Sequence, residues 1–251
     1  MSFEYMSWPL QKAQPWQTHE GEGIVLFYLP SAFNDPVTVQ RKADLFDWAL
    51  RENCRILRVD PLWFKVHVFL FADPVSMGEA LEAGPMEGGA AQLHSITVND
   101  CSTPEGLRCH AVHELAHVVT MNLFAFALSG FLMEGIAVYV QNAVPETAFV
   151  NLGLGWEAPN ITMEEPLALL LETDDFDYAH AGAFVTYLVE QDTEDLDYLK
   201  ALCRISENLL WLSYGRRIER AVRAVYDMSL EELEACWRRA AMEPRDDTSR
   251  T

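Results

Sequence analysis

The sequence predicts an α+β fold, with a small mixed sheet in the first hundred residues followed by a mostly helical half. Three observations carry that expectation. Gly23–Leu29 and Lys65–Ala72 are short, nearly continuous apolar runs of strand length, rich in Val, Leu and Phe. Between them, Val37–Arg51 spaces Ala43, Leu45, Phe46, Trp48, Ala49 and Leu50 as one face of a helix. From Pro104 onward the pattern reads helical over 105–121, 131–142, 165–172, 179–190, 194–206, 208–225 and 229–241. A third strand, exposed at the sheet edge, is expected over Gln92–Asn99, where polar and apolar residues alternate.

Length and composition fit one catalytic-sized domain. The chain has 251 residues, half of them hydrophobic, and no Ser/Gly/Pro linker, charge block or repeat divides it. The expected organisation is an N-terminal extension over 1–20 and a single domain over 21–242. Within that domain, 21–103 carry the sheet and 104–242 the helices, and 243–251 form a frayed polar tail. Met1–Gln17 lacks the basic flank and apolar run of a signal peptide, so a cytoplasmic location is expected. Five cysteines make no C-x-x-C pair, and thiols in a reducing compartment are the corresponding expectation. The net charge of −20 argues against a phosphate-backbone binder, so no nucleic-acid partner is expected.

The chemistry-bearing segment is His113-Glu114-Leu115-Ala116-His117. On a helix, residues four apart share a face, so both imidazoles project together. Their neighbours Ala111, Val112, Leu115, Ala116, Val118 and Val119 are apolar, and burying two His and a Glu there is costly unless they are paired or bind a metal. A catalytic zinc needs a third protein ligand and leaves its fourth position to water. Glu134, in Phe131-Leu-Met-Glu-Gly-Ile-Ala-Val-Tyr139, is placed to be that ligand, and Glu114 is expected beside the metal as general base. A helix rises ~1.5 Å per residue, so the first helix must stop near Met121–Phe124 for Glu134 to return. The second helix is then expected to start after Ser129-Gly130, with small Gly135 and Ala137 allowing it to pack closely on the first.

Together, residues 113–123 and 131–140 resemble the gluzincin (MA-clan) zinc metallopeptidases. They are similar above all to the alanyl aminopeptidase branch and to smaller bacterial peptidase-like relatives. The resemblance implies a zincin-like fold with the zinc helix at the junction of sheet and helices. It also implies one Zn²⁺ per chain on His113, His117 and Glu134, with Glu114 as catalytic base. The substrate it implies is a peptide or small amide, bound along the sheet edge beside the zinc helix. An oxyanion donor is expected at Tyr178, with His180 the alternative, and Asp174, Asp175, Asp177 or Tyr139 as partners of the ligand imidazoles. Glu87, in Gly84-Pro-Met-Glu-Gly-Gly-Ala90, resembles the amine-binding glutamate of the aminopeptidases, although the asparagine that follows it there is missing here.

Other readings are a zinc hydrolase of a non-peptide substrate and a catalytically silent peptide-binding relative. Cys109 and His110 are expected to be structural or to support the metal ligands from behind, and His67 a packed strand residue. Leu115–Met133 contains no formal charge, but His117, Asn122 and Ser129 interrupt it, so two core helices explain it better than membrane insertion.

Overall fold

The computed structural model describes residues 15–81, 88–100, 103–124, 128–147, 165–173, 175–191, 196–209, 212 and 214–242. They form a mixed α+β structure grouped into two compact units. One comprises Met1–Leu123 and Val140–Leu152, the other Phe124–Tyr139 and Gly153–Thr251.

The first unit is built on a five-stranded sheet in the order β1-β2-β3-β5-β4. Its strands are β1 (Gln17–Glu20), β2 (Ile24–Tyr28), β3 (Val66–Phe71), β4 (Gly89–Gln92) and β5 (Ser95–Asn99). The interior pairs β2–β3 and β3–β5 are parallel, and the outer pairs β1–β2 and β4–β5 are antiparallel hairpins. Interior strands of such a sheet are covered on both faces and read as continuous apolar runs, which is why β2 and β3 were legible. Register places Ile24 beside Val66, Leu26 beside Val68, Val68 in turn beside Ile96, and Leu70 beside Val98, all fully buried. On the opposite face, Phe27 stacks on Phe69 at 4.7 Å, and Trp16 meets Phe69 and Phe71 edge-on.

The expected exposed edge strand over Gln92–Asn99 needs correction. Ser95–Asn99 lies inside the sheet between β3 and β4, with all five residues buried, and the edge is the four-residue β4. The polar residues that suggested exposure are buried: Asn99 Nδ2 donates to the Gly88 carbonyl at 3.0 Å. A buried polar side chain that finds a backbone partner loses its value as a sign of solvent.

Helix α1 (Pro36–Ile56) links β2 to β3 and runs five residues past the expected end. Asp35 caps it, accepting from the N–H groups of Val37 and Thr38, and Pro36 occupies the first turn. The same Asp-Pro device starts the short α2 (Pro74–Ala80) at Asp73. From α1, the Asp47 carboxylate accepts the N–H groups of Glu22 and Gly23 at 2.7 Å each, fastening the β1–β2 turn. A Cβ on Gly21 would fall on this carboxylate, so only glycine fits there. Asp47 is 7% exposed, and hydrogen bonds to a charged acceptor each contribute about 1.5–3 kcal/mol. Asp47→Ala is therefore expected to cost about 3 kcal/mol or more, read as a lower denaturant midpoint with an unchanged slope. A loss below about 0.5 kcal/mol would show that the turn holds without it.

Helix α3 (Pro104–Phe124) follows β5, and α4 (Gly130–Ala143) follows α3. The second unit holds the first turns of α4 together with α5 (Leu167–Leu170), α6 (Tyr178–Glu190), α7 (Asp197–Glu207), α8 (Tyr214–Tyr226) and α9 (Leu230–Met242). Phe184 contributes to its core, meeting Trp237 at 4.9 Å and Phe131 at 5.9 Å. Helix α9 opens with a reciprocal capping box: the Ser229 N–H donates to Glu232, and the Glu232 N–H donates to the Ser229 hydroxyl. Gly135 of α4 sits against the backbone of α6, where an added Cβ would lie 2.5 Å from the Ala181 carbonyl oxygen. The atoms nearest to Gly135 on its open side are thus those of α6.

Candidate metal centre

Helix α3 is buried on every side: each residue from Ala111 to Thr120 is buried. A helix apolar all round belongs in a core, and that core must then also accommodate His113 (8% exposed), Glu114 (7%) and His117 (8%). Side chains from neighbouring elements fix its position. Asn53 of α1, fully buried, donates through Nδ2 to the carbonyls of Ala49 and Val112, one residue before His113. Arg108 lies over the Trp48 ring at 5.5 Å. At the other end Asn122 donates to the carbonyl of Leu93, in the β4–β5 turn, at 2.6 Å. The helix ends at Phe124, within the Met121–Phe124 stretch where its end is expected.

The two imidazoles converge as the four-residue spacing requires. Their Nε2 atoms are 3.3 Å apart and the ring planes stand at 83°. Glu134 lies in the second turn of α4 and is half-buried. Ligand atoms of His113, His117 and Glu134 all lie within 4.8 Å of one another, so the three can hold a metal ion. The nitrogen separation fits that use: two nitrogens each ~2.0–2.1 Å from a tetrahedral zinc stand roughly 3.3 Å apart. Two neutral imidazoles and one carboxylate form a donor set of borderline softness, matched to zinc and other late first-row ions.

The other residues singled out from sequence fare differently. Tyr178 opens α6, is 36% exposed and lies against the Phe176 ring at 5.8 Å. His180, in the first turn of the same helix, buries its Nε2, which makes no hydrogen bond among the described residues. Asp177 is spent as the α6 cap, accepting the Ala179 N–H at 2.7 Å. Asp175 is exposed, Tyr139 is half-buried in α4, and Asp174 and Glu87 lie outside the described residues. Cys109 is buried with its Sγ 3.8 Å from the Thr147 carbonyl, and Gly88 packs beside His110. His67 faces Phe27 within the sheet, where burial pushes its imidazole pKa down, as suits a packed strand residue.

No family model matches the chain, and no curated protein matches it. Among the described residues, no helix is long and apolar enough to cross a membrane.

Proposed function

We propose that the protein is a zinc-dependent hydrolase of gluzincin type, cleaving a peptide or other amide bond. The observation that carries this reading is the convergence of two imidazole nitrogens, 3.3 Å apart, with the carboxylate of Glu134 on one small volume. A structural zinc closes its coordination with four protein donors, whereas a three-donor set leaves room for water and substrate. The resemblance of residues 113–123 and 131–140 to gluzincin motifs points to the same chemistry.

His113, His117 and Glu134 would hold the ion. When bound, zinc lowers the pKa of its water toward neutrality and polarises the substrate carbonyl. Glu114 takes the proton from the attacking water and delivers it to the departing nitrogen, so one carboxyl serves as base and then acid. The negative charge that develops on the carbonyl oxygen calls for a hydrogen-bond donor. Tyr178 and His180 are the candidates.

The test is a screen of the zinc-loaded full chain against a mixed peptide library, with mass-spectrometric detection of new termini. A zinc chelator should abolish cleavage and restored zinc should return it. New N-termini inside peptides indicate endopeptidase action, and stepwise loss of terminal residues indicates exopeptidase action. A zinc-loaded chain that cleaves neither peptides nor simple amides overturns the hydrolase reading. Retained peptide binding in that case would identify a silent scaffold.

A further inference from the structure

We infer that Gly89 is a positioning residue for Glu114: its missing side chain makes the space in which the glutamate stem rests, and strand β4 thereby sets where that carboxylate points. A Cβ at position 89 would lie 2.5 Å from Glu114 Cγ, 2.7 Å from Cδ and 2.8 Å from Oε1. Carbon atoms do not approach so closely without repulsion, and the nearest atom belongs to the stem of a buried side chain, which has little room to swing away.

Strand β4 is itself fixed along α3 at both ends. At its start, Gly88 adopts φ +97°, a left-handed conformation that glycine accepts without penalty. Its carbonyl accepts the side-chain Nδ2 of Asn99 at 3.0 Å, and its Cα faces the His110 ring. Just beyond its end, the Leu93 carbonyl accepts the side chain of Asn122. Gly89 thus stands over Glu114, and Leu93 over Asn122. Four strand residues advance about 13 Å. Eight helical residues advance about 12 Å. The two elements therefore run in step for the whole length of the edge strand, and a strand held at both ends cannot slide to relieve a collision at Gly89.

The catalytic consequence rests on the hydrolase reading, but the positional claim does not, and the experiment separates them. Thermal midpoints are measured for the zinc-loaded wild type, Gly89→Ala, Glu114→Ala and Gly89→Ala/Glu114→Ala. Removing Glu114 beyond Cβ deletes all three atoms that the new methyl would strike. Gly89→Ala is expected to lower the midpoint by several degrees when Glu114 is present and to change it by less than a degree when position 114 is alanine. If Gly89→Ala alone fails to fold, recovery of a folded chain in the double variant gives the same answer. An equal loss in both backgrounds, or no loss in either, overturns the inference. For turnover, Gly89→Ala is expected to keep one zinc per chain and an unchanged KM while kcat falls on the order of 10²-fold, as a misplacement of about 1 Å does. Loss of zinc, or a rise in KM at constant kcat, would also overturn it. A zinc-loaded wild type without activity defeats the hydrolase reading alone, and the midpoints still decide what Gly89 does.

Discussion

Glu114→Gln is expected to leave the zinc content at one per chain while kcat on a cleaved peptide falls by about 10²–10⁴-fold. Glutamine has the same shape, so the contact with Gly89 and the packing of the stem are kept. The change removes only the capacity to accept a proton from water and to pass it on. Elemental analysis beside steady-state kinetics tests both halves of the statement. Activity that survives undiminished means that Glu114 is not the base. Loss of metal means that it supports the ligands directly, and the assignment of roles within His113–His117 would have to change.

The second large effect concerns the metal itself. His117→Ala and Glu134→Ala should each lose most of the zinc that the wild type carries through purification without added metal. The two ligands lie on different helices, α3 and α4, and each removal leaves two donors where zinc needs three or four from the protein. A ligand that binds only the folded state raises apparent stability by RT ln(1 + [L]/Kd), about 4 kcal/mol at a thousandfold excess over Kd. Added zinc should therefore raise the thermal midpoint of the wild type and leave that of both variants nearly unmoved. A wild type that cannot be loaded with zinc removes the basis for the enzyme reading. Full zinc content in Glu134→Ala would show that another residue supplies the third donor.

Helix α1 and strands β2 and β3 could be read because each obeys one rule throughout: period 3.6, or a continuous apolar run. Strands β1 and β4 could not. Each is four residues long, and Gln17–Glu20 and Gly89–Gln92 contain no apolar alternation, so their strand character comes from the neighbour they pair with. Strand β5 misled for a physical reason, since Ser95, Thr97 and Asn99 look solvent-facing until both faces of the sheet are seen to be covered. His113 and His117 were legible because helical spacing alone forces two side chains together. Glu134 needed more: sequence required α3 to end and the chain to return, and α4 indeed begins at Gly130. The space that Gly89 leaves for Glu114 has no local signal, because it depends on which strand lies over the helix. Gly135 was read as a small contact residue, but nothing in the sequence says which helix it meets.

That last contact ties the third candidate ligand to a helix that carries neither motif. With Gly135 seated on the carbonyl of Ala181 and against Val185, the position of the adjoining Glu134 depends on the spacing between α4 and α6. In evolutionary terms, residues 135 and 185 are constrained together, because the α6 backbone at 181 and the Val185 side chain leave no room for a Cβ at 135. A larger residue at 135 can persist in a lineage only beside a shift of the α6 backbone and a smaller side chain at 185, some fifty residues later in the chain. Descendants of this protein should thus vary at 135 and 185 together.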